Sequence, residues 1–354
     1  VHPYIRYTVQ PRETFAAGLE TPEMEAQDLF DAFPDGLFET LDGIRVSGRL
    51  RYRLDAFLDP ELPDSVRFES HMEQRDLRVN SWGNVNVPKL NTTFVYTPYE
   101  NGEPVRDIVV GPENPDFVRL SDISPNLKNA ILTTEDPSFF HHNGFVVEAI
   151  RSSIATNLKE KAFKRGGSTI SMQLVKNVFL NRNKTMVRKL EEIIIVWLME
   201  STRSVSKDRM FEVYLNIIEW GRNVYGIREA ARYYFGKHPS ELTIGESIYL
   251  ASIVPRPKTG LYSFNWDGRL KYYMATYFNY IGNIMARRGL TPPDSTDNYG
   301  FYSVTLREAL RPERPASADT LRLEEPPTDF ETELKEVRGL LDRLFGGKKE
   351  ENEP

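Results

Sequence analysis

The chain has 354 residues, 40% of them hydrophobic and 27% charged, which is enough for two domains and a core without covalent staples. It contains no cysteine, which excludes disulfides and thiolate metal sites, and its net charge of −6 argues against a general nucleic-acid binder. The average conceals a contrast, because residues 145–190 hold ten Lys/Arg against two Glu. Such a basic block in an acidic chain either meets a local anion (a phosphate or a lipid headgroup) or forms a solvated face. No apolar run reaches the ~18 residues of a membrane-spanning helix, and the longest, Ile193 to Met199, suits a buried helix. The chain opens at Val1 without a methionine, so an N-terminal anchor or signal missing from this chain is expected.

Residues 1–118 read as a β-rich accessory domain of unassigned role. Ile44, Val46, Gly48, Leu50, Tyr52 and Leu54 alternate with Arg45, Ser47, Arg49, Arg51 and Arg53, the period of a half-buried strand. Val66/Phe68 and Phe94/Tyr96 repeat the pattern more briefly. The arginines of that outward face are expected to be solvated; the alternative is a surface that reads an anionic polymer.

From Ser124 the texture becomes helical. Ser124-Pro125 supplies an N-cap and a first-turn proline, Leu127, Ala130 and Ile131 share a face, and the helix is predicted to end near Glu135. Val146, Ile150, Ile154, Leu158 and Ala162 then recur about every four residues among Arg151, Lys159, Lys161 and Lys164. This basic amphipathic segment, 146–163, packs on a core or lies on a membrane surface. Gly166-Gly167 predicts a tight turn, and Ser168-Thr169 caps the helix after it. Thr243-Ile-Gly-Glu246 is a capping box. Residues 311–354 read as a Pro- and Glu-rich linker, an amphipathic helix from Phe330 to Leu344, and a charged disordered end.

The chemistry concentrates between residues 135 and 192. Glu135 at a helix C-terminus faces unpaired carbonyls that disfavour its charge, as suits a general base, and burial beside Phe139 and Phe140 would push its pKa further up. Free N–H groups at the helix start after Gly167 bind phosphate readily, with Lys176, Arg188 and Lys189 able to close over the same anion. The glycine and lysine spacing is not that of a Walker loop. Glu192, four residues after Arg188, forms a surface ion pair or holds a divalent metal. Two carboxylates flanking a phosphate cradle suggest acid/base chemistry on a phosphorylated substrate.

In this order the motifs resemble the peptidoglycan glycosyltransferases, the lysozyme-like transglycosylase family that polymerises lipid II. Glu135, Asp136, Phe139, His142 and Gly144 meet its E-D-x-x-F-x-x-H-x-G pattern. Gly166 to Asn177 meet G-G-S-T-I-x-Q-Q-L-x-K-N, with Met172 in place of the first Gln. Arg188, Lys189 and Glu192 meet R-K-x-x-E. Lys207 to Asn216, Glu219-Trp-Gly221 and Leu250 to Pro257 resemble the fourth and fifth motifs, and the Glu219-Trp-Gly221 form looks most like monofunctional members without a transpeptidase domain. The resemblance covers residues 120–265 and implies an α+β chain. Its glycosyltransferase domain, 119–310, would be mainly α, lysozyme-like and two-lobed, followed by the 311–354 segment.

It further implies Glu135 as the base and Glu192 as the carboxylate on the pyrophosphate side, alone or through Mg2+ or Mn2+. Asp136, His142, Ser168, Thr169, Gln173, Lys176, Asn177, Lys184, Arg188, Lys189 and Asn216 would contact substrate. Lipid II, the growing glycan strand, the membrane surface through residues 146–163 and cell-wall synthesis proteins are the implied partners. The implied location is the periplasmic or extracytoplasmic face of a bacterial inner membrane. Met172 removes an amide from the cradle but leaves both carboxylates, so activity is expected to survive. The competing readings are a lytic muramidase on the same fold, which the cations disfavour, and a non-catalytic envelope scaffold or glycan-binding relative, which the two retained carboxylates disfavour.

Overall fold

A computed structural model describes residues 2–9, 12–159, 167–180, 186–296 and 298–314. The predicted linker beyond residue 314, its helix and its charged end lie outside the described residues. The chain is α+β. It divides into two compact units that alternate along the sequence: residues 1–94, 98–104 and 138–210 form the first, and residues 95–97, 105–137 and 211–354 the second.

The first unit is built on a five-stranded antiparallel sheet of β1 (His2–Thr8), β2 (Thr14–Glu20), β3 (Met24–Glu25), β4 (Ile44–Leu58) and β5 (Arg67–Trp82). β4 is the hub, with β2 and β3 along one edge and β5 along the other. Its alternation is the one read from sequence: Ile44, Val46 and Leu50 are buried, and α1 (Ala26–Asp31) covers this face of β4 with Ala26 and Phe30. Each such buried aliphatic or aromatic side chain contributes about 1.5–3 kcal/mol. The outward arginines are exposed as expected, and carboxylates of neighbouring strands meet two of them. Arg51 pairs with Glu20 at 3.0 Å, and Arg49 with Glu25 at 3.5 Å. Exposed pairs of this kind add only ~0–1 kcal/mol each.

Helix α2 (Pro125–Glu135) belongs to the second unit, whereas α3 (Val147–Lys159), α4 (Ile170–Phe179) and α5 (Met186–Ser201) belong to the first. α3 lies against β5, its buried residues are the small Ser152, Ser153 and Ala155, and Lys159 pairs with Asp64 at 2.7 Å. The apolar positions Val146, just before the helix, and Ile150, Ile154 and Leu158 within it are only half-buried. Helix α5 encloses the run read as a buried helix: Ile195, Val196, Leu198 and Met199 are fully buried, and only Ile193 is exposed.

α6 (Lys207–Ile217) leads into the second unit, which adds α7 (Ile227–Phe235), α8 (Ile244–Ile253) and α9 (Met274–Arg287). α2 packs on α8 and α9. α8 begins with the predicted capping box: Glu246 N–H donates to Thr243 Oγ1 at 3.3 Å, and Thr243 N–H donates to Glu246 Oε2 at 2.9 Å. Ser124 sits at the N-cap of α2, yet its hydroxyl donates to the Leu242 carbonyl at 2.9 Å, fastening the helix start to the chain before α8 rather than capping it. No helix among the described residues is long and apolar enough to cross a membrane.

Candidate active site

In the first unit the cradle is assembled from α4, α5 and the loop at 138–144. Thr169 caps α4, accepting from Met172 N–H at 3.2 Å, and donates its own hydroxyl to the Gly144 carbonyl at 2.7 Å. It is buried, and these two bonds hold the loop to the helix. Gly144 has φ +92, and a Cβ there would meet the Val196 side chain at 2.6 Å, so only glycine permits this contact. Two residues earlier, His142 Nδ1 accepts from Gly144 N–H at 2.9 Å, which leaves the proton of the neutral ring on Nε2. Phe139 is fully buried and stands edge-on to His142.

On α4, Gln173, Lys176 and Asn177 fall at i, i+3 and i+4 and share one face, with Lys176 exposed. Met172, four positions before Lys176, is buried in the core, where it is 3% exposed. The departure from the family pattern at this position is therefore a change of core side chain.

Glu192 is 1% exposed on α5. Its Oε1 accepts from Lys189 Nζ at 2.6 Å, and the same ammonium reaches Ser168 Oγ at 3.5 Å. Glu192 Oε2 is buried with no hydrogen-bond partner among the described residues. An orphaned carboxylate oxygen costs ~1–3 kcal/mol or more, a cost that a donor or a cation would relieve. A divalent ion that takes one protein carboxylate and completes its shell with phosphate oxygens and water fits this donor set. No group of three acidic or histidine side chains suited to an all-protein metal cage occurs among the described residues. Arg188 is half-buried beside Lys189, and Lys184 lies outside the described residues.

Two further buried acids on α5 carry no motif signal. Glu191 Oε1 accepts from Thr40 N–H at 2.7 Å, Thr40 Oγ1 at 2.5 Å and Leu41 N–H at 3.3 Å. Glu200 accepts from Ser171 Oγ at 2.5 Å and from Lys207 Nζ at 2.6 Å, and that ammonium sits 4.3 Å from the centre of the Phe139 ring. Lys207 begins a stretch already singled out in the sequence. Nothing in the sequence marks Glu191 or Glu200, since each partner is chosen by packing.

In the second unit, Glu135 ends α2 as predicted, and Asp136 is its buried C-cap. Burial pushes the Tyr214 phenol well up, and the negative charges of Glu135 and Asp136 push it further, so both carboxylates lie near this fully buried ring. Arg288, missed in the sequence, donates to the Pro137 carbonyl at 2.9 Å and to Thr133 Oγ1 at 3.3 Å, placing a cation at the carbonyl end of α2. Asn216 is bonded at both ends of its amide: its Nδ2 donates to the Val118 and Glu212 carbonyls at 2.8 Å each, and its Oδ1 accepts from Val118 N–H at 2.9 Å. It braces the chain before α2.

The transglycosylase family model matches residues 101–273, a span that includes Glu135, the α4 cradle and Glu192. The biosynthetic peptidoglycan transglycosylase of Acinetobacter baumannii is 40% identical over 168 residues, covering 48% of this chain and 73% of that protein. Proteins of the same name from Paraburkholderia xenovorans and Nitrosomonas eutropha are 44% and 46% identical over 142 residues, covering 40% of this chain and 58% and 57% of theirs. The chain belongs to the transglycosylase family and is a peptidoglycan glycosyltransferase.

Proposed function

We propose that this glycosyltransferase polymerises lipid II into glycan strands with release of undecaprenyl pyrophosphate. The acceptor 4-hydroxyl attacks the donor anomeric carbon, a new C–O bond forms with inversion, and the bond to the pyrophosphate oxygen breaks. Glu135 takes the hydroxyl proton, and the leaving pyrophosphate departs with the bonding pair. Fixed cations stabilise the negative charge that develops on it. The observation that carries this reading is the triad of Ser168, Lys189 and buried Glu192. A carboxylate held almost out of water orients an ammonium at the head of a helix, where an oxyanion is favoured. Arg188 and the outward face of α4, with Gln173, Lys176 and Asn177, extend the polar surface along which phosphates would lie. Asp136 and His142 flank the base motif. When bound, Mg2+ or Mn2+ would neutralise pyrophosphate charge, and Glu192 is the residue that would hold it.

The same reading takes residues 119–310 as the catalytic segment, lysozyme-like and two-lobed, and residues 1–118 as the accessory one. The half-buried apolar stripe of α3 is the surface that would touch the membrane, at its extracytoplasmic face, where a lipid-linked substrate keeps its tail in the bilayer. Cell-wall synthesis proteins are the partners such an enzyme would meet. The test is incubation with labelled lipid II, detergent and divalent metal, beside Glu135→Gln. A ladder of glycan strands from the parent chain and none from the folded variant is the expected result. Unconsumed lipid II in both lanes, next to an active control enzyme, would sink the reading.

A further inference from the structure

The sheet of the first unit carries a cleft of ≈ 320 Å³ that glycosyl transfer does not use. Its origin is a lateral row set by strand register: Arg6 on β1 pairs with Ala16 on β2, Ala16 with Phe57 on β4, and Phe57 with Arg67 on β5. Two residues along, on the same face, a second row runs Tyr4, Gly18, Asp55 and Glu69. Residues two apart on a strand point the same way, so in these two rows β2 contributes only a methyl and a hydrogen and leaves a trough between its larger neighbours. Arg6 and Arg67 stand three strand spacings apart, about 14 Å, a gap that two arginine side chains leaning inward can close upon.

The trough is finished by specific contacts. Tyr4 lies flat across Gly18, where a Cβ would overlap its ring, and its hydroxyl donates to Asp55 Oδ2 at 2.5 Å. The Arg67 guanidinium lies over Phe57 at 4.9 Å from the ring centre, and both residues line the cleft. Unlike Arg49 and Arg51 on the same face, neither Arg6 nor Arg67 has a carboxylate at ion-pair distance among the described residues. Two guanidinium groups thus line one cleft with the Tyr4 and Phe57 rings, beside the Asp55 carboxylate that tyrosine holds in place.

We propose that this cleft binds a peptide through its free carboxylate. The paired guanidinium groups suit a planar carboxylate, and the Phe57 and Tyr4 rings suit a small apolar side chain. Asp55 accepts an adjacent N–H of the ligand, and its charge repels a phosphate dianion. The site is separate from the transferase chemistry and serves recognition.

The test is calorimetric titration of the whole chain with N-acetyl-dialanine, its C-terminal amide and inorganic phosphate. The free acid is expected to bind, with at least tenfold weaker binding by the amide, by phosphate and by the Arg6→Gln/Arg67→Gln variant. Both arginines are exposed, so this variant keeps its far-ultraviolet circular dichroism and its glycan polymerisation. Asp55→Asn should weaken the peptide and strengthen phosphate. Equal binding of acid and amide, tighter binding of phosphate by the parent, unchanged binding by the double variant, or no binding of the acid would each overturn the proposal. None of these outcomes bears on lipid II turnover, which is read separately.

Discussion

Glu191→Ala should be among the most destabilising single changes in the first unit. One buried oxygen, on a residue 5% exposed, gathers two backbone N–H groups and a hydroxyl from Thr40 and Leu41. Hydrogen bonds to a charged acceptor are worth about 1.5–3 kcal/mol each, and donors left buried without a partner add to the loss. Thr40 is half-buried, so water recovers part of this, and the Leu41 bond is long. A net loss of about 3 kcal/mol is expected for Ala, about 1–2 kcal/mol for Glu191→Gln, which keeps an acceptor oxygen, and about 1 kcal/mol for Thr40→Val. Guanidinium denaturation followed by circular dichroism would read these as ordered shifts in midpoint at constant slope. A loss under 0.5 kcal/mol for Glu191→Ala would refute the reasoning, since it would mean that the three donors find equal partners without the carboxylate.

Other changes test other contacts. Glu135→Gln should lower polymerisation by about 10²–10⁴-fold while lipid II still binds, as measured by single-turnover and binding assays. Lys189→Met leaves Glu192 buried without its cation and should cost up to about 3 kcal/mol, less whatever water recovers at a lysine that is 41% exposed. Lys189→Met/Glu192→Leu should restore most of that stability but not activity, and a double-mutant cycle reads the coupling. Gly144→Ala meets both the positive φ and the Val196 side chain, so a loss above about 2 kcal/mol is expected from thermal unfolding. The buried phenols of Tyr214, Tyr234 and Tyr249 are all raised above 10.0 by burial, so the folded chain holds protons that the unfolded chain releases. Their contribution is therefore complete below pH 10 and is lost progressively above it; tyrosinate absorbance should appear together with unfolding, and Tyr214→Phe should reduce the slope.

Local chemistry was legible in the order of residues. The alternation from Ile44, the Ser124-Pro125 start of α2, its end at Glu135 and the Thr243–Glu246 box each depend on contacts within a few positions, so spacing alone reveals them. The motifs likewise pointed to the transglycosylase family, because their residue types recur in a fixed order that can be read without the fold. What spacing did not disclose is which hydroxyls and acids are spent internally. Thr169 holds Gly144, Asn216 braces Val118, and Glu191 gathers a loop 150 residues earlier in the chain. Nor could periodicity foresee that α3 would bury its serines and leave its apolar stripe half-exposed. Burial and long-range partners depend on how elements pack in three dimensions. The sequence by itself therefore determined the elements and the reaction class, and only the tertiary structure decided which polar groups are buried and which distant partners they meet.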